Sequence, residues 1–152
     1  MRRRLVLERT TQISASLSEV FDFFSAPVNL GTITPPSMRF RIVAAPSRRL
    51  REDDRIEYRI RIFGILPAGW TTRICMWREN EAFADLQERG PYRFWLHTHT
   101  FRETPGGVEM HDRVEYELPF GWLGRLFGGW LVSRELRAIF DYREEVIRRV
   151  FA

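Results

Sequence analysis

The N-terminal part of the chain changes from a strand pattern to a helix pattern. Leu5 to Ile13 has the composition of a β-strand. Ser16 and Glu19 then stand three residues apart, as in a capping box, where each side chain accepts a hydrogen bond from the other residue's backbone N–H. A short helix should follow, with these apolar side chains on one side: Leu17, Val20, Phe21 and Phe24. We expect a second short helical turn at Val28 to Gly31, ended by Pro35-Pro36, because proline has no N–H to donate.

From Met38 to Leu118 the apolar positions recur every second residue, which is the period of a half-buried β-strand. The clearest stretch is Arg55 to Ile62, in which isoleucine and tyrosine alternate with arginine and glutamate. The region divides into six strands, and the last five are joined by short segments of turn-forming residues: Phe63 to Gly69, Asn80-Glu81, Gly90-Pro91 and Pro105 to Gly107. Short turns between consecutive strands predict an antiparallel meander.

The residues that follow Pro119-Phe120-Gly121 are predicted to form one long helix. Their apolar residues recur at spacings of three and four: Leu136, Ile139, Phe140, Val146, Ile147 and Val150. Gly128-Gly129 interrupts this pattern, which indicates a bend or a place where the backbone passes close to the sheet.

The order of elements is therefore one strand, two short helices, six strands and one long helix, an α+β arrangement. A sheet of this length has one apolar face to cover, and a single long helix is available to cover it. We expect a curved antiparallel sheet of about seven strands wrapped around the C-terminal helix. The two short helices after the first strand can close one end. The space left beside the helix is the predicted ligand pocket.

The composition is that of one ordinary globular domain, which we take to span residues 1–152. No apolar run reaches about 18 residues, the length of a membrane span. Glu8 and Arg9 interrupt the apolar stretch that a signal peptide needs, so a cytoplasmic protein is expected. The net charge is +4, but the basic residues, all arginine, are dispersed among acidic ones, and nucleic acid is not an expected partner. Cys75, the single cysteine, permits no internal disulfide bond.

A group of polar residues falls on the predicted inner face of the sheet. On the strand Arg93 to Glu103, aromatic residues flank two histidines on one face: Trp95, His97, His99 and Phe101. On the last strand, Asp112 and Tyr116 share the apolar face. Asp85 and Gln87 have the parity of the inward Phe83 on the strand before. The sequence thus predicts an inner polar patch next to Tyr116: Asp85, Gln87, His97, His99 and Asp112.

Several interpretations of this patch remain open. It is typical of a buried network in which each histidine donates to a carboxylate. It also suits ligand recognition, with a few polar groups orienting an apolar molecule. Catalysis is a third interpretation, with His97 or His99 as general base poised by Asp85 or Asp112. Metal binding by both histidines and a carboxylate is sterically possible, but no ligand motif of known spacing is present, and neither metal nor cofactor is expected.

Arg143 lies on the predicted inner face of the long helix. It could hold a ligand carboxylate or pair with Asp85 or Asp112, and the favoured interpretation is an arginine at the rim with its stem buried. Aromatic residues are expected to line part of the cavity: Tyr58, Trp70, Trp95, Phe101, Tyr116 and Phe140. The apolar segment Phe120 to Leu131 is interpreted as the start of the covering helix, with a mobile gate and then membrane contact as alternatives.

Several segments resemble the START/SRPBCC helix-grip superfamily, in its polyketide cyclase/dehydrase-like, ligand-binding branch. The segments that carry the resemblance cover nearly the whole chain: Ser16 to Phe24, Asn29-Leu30, Thr34 to Pro36, Phe83 to Tyr92, Trp95 to Phe101, Asp112 to Gly121 and Ile139 to Arg143. The resemblance implies an apolar cavity and not a particular reaction, since the superfamily includes lipid carriers, hormone receptors, aromatic cyclases and co-chaperone activators.

From the inner face and the resemblance together, we expect binding, transport or sequestration of a small hydrophobic or aromatic molecule in the cavity. The expected state is a monomer or homodimer. The alternative is a cyclase/dehydrase-type enzyme that uses His97 and His99 with Asp85 or Asp112 as acid and base.

Overall fold

The computed structural model describes residues 4–152. The strands are β1 (Leu5–Ile13), β2 (Arg41–Ala44), β3 (Arg55–Ile62), β4 (Leu66–Arg78), β5 (Ala82–Arg89), β6 (Phe94–Thr104) and β7 (Gly107–Glu117). The helices are α1 (Leu17–Ser25) and α2 (Gly121–Val150), and two 3₁₀ turns lie at Pro27–Asn29 and Pro36–Met38. The second predicted short helix is thus a single 3₁₀ turn. Pro27 is the first residue of this turn, and Pro35-Pro36 follow a few residues later, which leaves little room for a longer helix.

The seven strands form one antiparallel sheet in the order β1-β7-β6-β5-β4-β3-β2. The first strand returns to pair with the last, so that Leu5 lies opposite Tyr116 and Ile13 opposite Val108. Irregular pairing between Thr71 and Thr72, and again between Ile74 and Met76, interrupts the β4–β5 ladder. Such bulges bend a strand and increase its twist, so they help to curve the sheet around α2. The predicted helix-grip architecture is confirmed.

The start of α1 is fixed as its sequence predicts. The Ser16 side chain accepts a hydrogen bond from the Glu19 backbone N–H, and the Glu19 carboxylate accepts one from the Ser16 backbone N–H. Substitution of such a cap typically costs about 1 kcal/mol. The helix buries one face, with Val20, Phe21 and Phe24 inside the protein. Phe21 packs edge-on against three aromatic rings of the sheet: Trp77, Phe83 and Phe101.

The segment between β3 and β4 is a shorter turn than the predicted Phe63 to Gly69. Phe63 and Gly64 make the turn with positive φ angles, and β4 already begins at Leu66. Pro67 is tolerated within the strand because β5 pairs with β4 only from Thr71 onward, which leaves this end of β4 without a neighbour on that side.

Helix α2 continues through Gly128-Gly129 without a break. The expected close approach is therefore wrong at this place, since a Cβ atom built at either glycine meets nothing within 4 Å. The close approach occurs at Gly124, where a Cβ atom would stand 2.1 Å from the Pro119 carbonyl oxygen. Phe120, just before the helix, is exposed, and the first half of the helix exposes further large apolar side chains: Leu126, Phe127 and Trp130. Within residues 4–152, no helix combines the length and the apolarity that a membrane crossing requires.

The interior contains two apolar clusters. One lies beneath α1 and includes Phe21, Phe83 and Phe101. The other lies beneath the middle of α2 and includes Trp95 and Phe140. The inner polar residues of β5, β6 and β7 stand where these two clusters meet.

Candidate functional site

Strand register brings four polar side chains together at the centre of the sheet. His97 on β6 lies directly opposite Asp85 on β5, and His99 lies directly opposite Asp112 on β7. Because all four residues point to the same face, each histidine also lies diagonal to the other aspartate. The two imidazole rings are 3.8 Å apart between centroids. The result is a compact unit of two histidines between two carboxylates, which we call the His–Asp cluster.

Asp112 lies behind the two histidines. Its side chain is 2% exposed, and one oxygen, Oδ1, accepts a hydrogen bond from His97 Nε2 at 2.9 Å. The Nδ1 atom of His99 is also 2.9 Å from this oxygen, but its direction does not meet hydrogen-bond geometry. Asp112 therefore fixes the orientation of the His97 ring and lies close to that of His99.

Asp85 is the carboxylate on the cavity side of the cluster. It accepts hydrogen bonds from the Thr72 hydroxyl at 3.2 Å and from His99 Nε2 at 3.4 Å. Its Oδ2 atom is 4.0 Å from His97 Nδ1. The Asp85 side chain is 18% exposed, whereas the Asp112 side chain is buried. Of the two carboxylates, Asp85 is thus the one that a molecule in the cavity can reach.

The cluster separates the proton affinities of its members. Burial lowers the pKa of His97, and the neighbouring His99 lowers it further. Burial also lowers the pKa of His99, but its contacts with Asp112 and Asp85 outweigh this and raise it above 6.5. Burial alone would raise the pKa of both aspartates, yet the histidines hold the pKa of Asp85 and of Asp112 below 3.8. Both carboxyl groups therefore favour the ionised form, and of the two rings His99 holds an added proton more strongly than His97.

Both rings of the cluster pack against aromatic side chains. Phe83 stacks on His99 with ring centroids 4.4 Å apart, and Phe140 of α2 meets His97 edge-on at 5.6 Å. These contacts connect the cluster to both apolar clusters, which restricts the side-chain positions of the two histidines.

A cavity lies between α2 and the inner face of β3, β4, β5 and β6. Its volume is about 150 Å³, and it is partly open to the outside. The sheet contributes these residues: Ile56, Tyr58, Ile60, Ile62, Trp70, Thr72, Ile74, Phe83, Asp85, Trp95, His97 and His99. Helix α2 contributes Glu135, Leu136, Ile139, Phe140 and Arg143. The remainder comes from α1 and the loops: Phe24, Leu30, Ile33, Thr34, Met38, Phe40, Leu50, Pro91 and Tyr92.

Besides His99 Nδ1, two nitrogen donors of the cavity wall have no hydrogen-bond partner among the described residues. Trp70 is 5% exposed, and its buried Nε1–H makes no hydrogen bond there. The same holds for the buried Nε–H of Arg143. The Arg143 guanidinium lies 4.9 Å from the Phe140 ring centroid. Within residues 4–152 it has no carboxylate within 4.0 Å, so the possible ion pairs with Asp85 and Asp112 are not formed.

Most of the side chains predicted for the pocket line this cavity: Tyr58, Trp70, Asp85, Trp95, His97, His99, Phe140 and Arg143. Four others lie outside the lining. Gln87 shares the parity of Asp85, but its amide binds the backbone N–H and C=O of Tyr92. Phe101 packs beneath α1, and Asp112 lies behind the histidines. Tyr116 packs beside Trp95, with ring centroids 6.2 Å apart.

Sequence reasoning missed many wall residues. Ile56, Ile60 and Ile62 share a strand face with Tyr58, so alternation alone would have found them. Leu136 and Ile139 lie one helical turn from Phe140 and Arg143, which is also a readable signal. Ile33, Met38 and Leu50 belong to irregular segments that carry no period, and only the folded chain places them.

No protein-family model and no curated protein matches the chain. Solved structures do match. Protein Ms6760 from Mycobacterium smegmatis is 16% identical with a TM-score of 0.74, covering 97% of this chain and 91% of that chain. TTHA0849 from Thermus thermophilus is 18% identical with a TM-score of 0.64, covering 95% and 97%. Major latex-like protein 151 from Panax ginseng is 13% identical with a TM-score of 0.65, covering 93% and 96%.

These similarities extend over nearly the full length of each matched protein and establish the fold. The protein therefore has the helix-grip fold, as its sequence predicted. Fold and site together define a class: a helix-grip protein with an internal cavity and a His–Asp cluster in its wall.

Proposed function

We propose that the protein binds a small, mostly apolar or aromatic molecule that carries one hydrogen-bond-accepting group, such as a carboxylate or a carbonyl. The observation that carries this proposal is an apolar cavity whose wall holds two unpartnered donors, Trp70 Nε1–H and Arg143 Nε–H. A buried donor without a partner costs about 1–3 kcal/mol, and a ligand acceptor would recover part of that cost.

The size of the cavity narrows the ligand class. An apolar cavity of about 150 Å³ holds a molecule the size of benzene, and the partly open mouth leaves room for a somewhat larger one. The aromatic wall, with Tyr58, Trp70 and Trp95, favours a flat ring system. One or two fused rings with an acidic substituent fit this description better than a long acyl chain.

The test compares ligands that differ only in the acceptor. Naphthalene derivatives with and without a carboxylate are added to the protein, and the melting temperature is followed. At about 100 times Kd a ligand adds about 2.7 kcal/mol of stability, or about 5–11 °C for a chain of this length. We expect the carboxylate to give the larger shift, and the difference should shrink in Arg143→Met. Arg137→Met, at an exposed position of α2, is the matched control.

Two outcomes would contradict the proposal. A broad panel of aromatic and lipid-like ligands that leaves the melting temperature unchanged would rule out binding of this class. Equal loss of the carboxylate preference in Arg143→Met and Arg137→Met would show that the selectivity comes from the overall positive charge and not from the cavity.

A second candidate function is acid–base catalysis on the bound molecule. It is favoured by one observation: both histidines line the cavity, and His97 presents a nitrogen there that makes no hydrogen bond within the described residues. A neutral imidazole held by a carboxylate is the form that accepts a proton. His97→Ala and His99→Ala should then abolish turnover of a cyclisable or dehydratable ligand while binding persists. Turnover that survives both substitutions would exclude this role.

A further inference from the structure

We propose that Asp85, His97 and His99 form a binding site for one divalent first-row transition-metal ion in the wall of the cavity. This inference goes beyond the binding of an apolar ligand and does not depend on it, since it rests on three side chains and their mutual geometry.

The three donor atoms already stand close together. His99 Nε2 is 3.4 Å and His97 Nδ1 is 4.0 Å from Asp85 Oδ2. One donor atom from each of the three residues lies within 4.8 Å of the other two. In zinc sites, bonds of about 2.0–2.2 Å at tetrahedral angles place donor atoms roughly 3.3 Å apart. Only small side-chain movements are therefore needed to bring these three donor atoms to the distances of a metal site.

The hydrogen bonding of His97 leaves one ring nitrogen able to bind a cation. The ionised Asp112 can only accept, so the hydrogen of a neutral His97 ring is on Nε2, and Nδ1 carries a lone pair. That lone pair is 4.0 Å from Asp85 Oδ2, which accepts a hydrogen bond from His99 Nε2. A metal ion that displaced the His99 proton could bind both imidazole nitrogens and this oxygen.

Asp112 occupies the position of an outer-shell partner. Histidines that bind metals almost always donate their other ring nitrogen to a carboxylate or a carbonyl. Here His97 Nε2 donates to Asp112 Oδ1 at 2.9 Å, and His99 Nδ1 is 2.9 Å from the same oxygen but outside hydrogen-bond geometry. The two carboxylates of the His–Asp cluster carry two negative charges. A protonated His99 offsets one of them, and a divalent ion in place of that proton would offset both.

The donor set indicates which ions to expect. Two imidazoles and one carboxylate suit zinc, iron(II), cobalt(II) and similar ions better than calcium or magnesium, which prefer oxygen donors alone. Since all three residues line the cavity, the remaining coordination positions would face the space that a ligand enters. An acidic aromatic ligand could then contact the ion as well as Arg143.

The test uses full-length protein without a histidine tag, stripped with a chelator and titrated with Zn²⁺ in a calorimeter. We expect one ion per chain, and a Co²⁺-loaded sample should show visible absorption bands of a site with nitrogen and oxygen donors. His97→Ala, His99→Ala and Asp85→Asn should each weaken Zn²⁺ binding at least tenfold. Asp112→Asn should weaken it about 10–100-fold, as loss of an outer-shell partner does.

The chain supplies its own control. His111, the third histidine, lies on the outer face beside Glu8, so His111→Ala should leave Zn²⁺ binding unchanged. Wild-type protein that binds no ion more tightly than about 100 µM would overturn the proposal, as would equal losses in His111→Ala and His97→Ala. If the inner variants do not fold, the ring-proton resonances of His97 and His99 in wild-type protein decide the question, because Zn²⁺ must shift both. Apolar ligand binding to the stripped protein is measured separately, so either proposal can fail alone.

Discussion

At the scale of single residues, the two inner histidines differ although they are neighbours on one strand. His97 points one nitrogen at the sealed Asp112, and His99 lies between Asp112 and Asp85. The charge of one ring opposes the charge of the other, because the centroids are 3.8 Å apart. Arg143 of α2 is a further charged side chain at the cavity. The two neutral rings together therefore take up one added proton more readily than two.

We expect the two rings to titrate on opposite sides of the ordinary histidine pKa in chelator-stripped protein. His99, raised by Asp112 and Asp85 against its burial, should titrate above 6.5, and the buried His97 should titrate below 6.5. Proton NMR of the ring resonances, assigned with His97→Gln and His99→Gln, measures both. In Asp112→Asn the pKa of His99 should fall. A His99 pKa that is unchanged in that variant would contradict the role given to Asp112.

Acid should weaken the fold through Asp112. Burial alone would raise the pKa of this carboxyl, but hydrogen bonding with the histidines holds it below its value of 3.8 in the unfolded chain. Its contribution to stability is therefore complete above about pH 4 and is lost as the pH falls through the lower, folded value. Urea unfolding at a series of acidic pH values should show a smaller loss for Asp112→Asn than for the wild type. Parallel losses in the two proteins would assign the acid sensitivity to other groups.

Sequence reasoning reached the inner polar residues but not their pairing. Alternation places His97, His99 and Asp112 on one face of their strands, and it needs no partner strand to do so. Which aspartate meets which histidine depends on register, and register follows from turns and packing along the whole meander. Alternation also fails to predict the contacts of Gln87. Its side chain has the parity of Asp85, but its amide donates to the Tyr92 backbone carbonyl in the neighbouring turn.

At the scale of elements, α2 has two different halves. The second half buries Leu136, Phe140 and Ile147 against the sheet. The first half exposes Phe127 at 79% and Trp130 at 70%, so little of its stability comes from packing. Intrinsic helix propensity therefore decides how well the first half is held.

Alanine at Gly128 and Gly129 should stabilise the protein. Glycine within a helix costs about 0.5–1 kcal/mol relative to alanine, and a Cβ atom at either position meets nothing within 4 Å. Urea unfolding should show a gain of about that size for each single variant. Gly124→Ala is the contrasting change, and it should destabilise because its Cβ atom would press on the Pro119 carbonyl oxygen. A loss of stability in Gly128→Ala would mean that the helix bends or packs there.

The elements were more predictable than the loops between them. The capping residues Ser16 and Glu19 locate the start of α1, and strict alternation locates β3. The bounds of β4 were missed because its first residues include Pro67 and Gly69, which are typical of turns and are tolerated here at a stretch that lacks one neighbour. Local pattern does not reveal which part of a strand is at the edge of a sheet.

In the molecule as a whole, the cavity lies between the long helix and the curved sheet. The two apolar clusters meet at the His–Asp cluster in the cavity wall. A ligand there would contact α2 and four strands at once. Binding should therefore stabilise the fold as a unit and not one loop of it. The cytoplasmic location and the monomeric or dimeric state expected from the sequence stay predictions.

Binding of an aromatic acceptor in the cavity is tested most directly at the indole N–H resonance of Trp70, followed in ¹⁵N-labelled protein while an aromatic carboxylate is added. Trp70→Phe assigns the resonance, and Trp130, exposed on α2, serves as an internal reference. If the cavity binds an aromatic acceptor, the Trp70 resonance should shift strongly and saturably while the Trp130 resonance stays in place. A Trp130 shift without a Trp70 shift, for every ligand of the panel, would show that these molecules bind the surface and that the cavity is not their site.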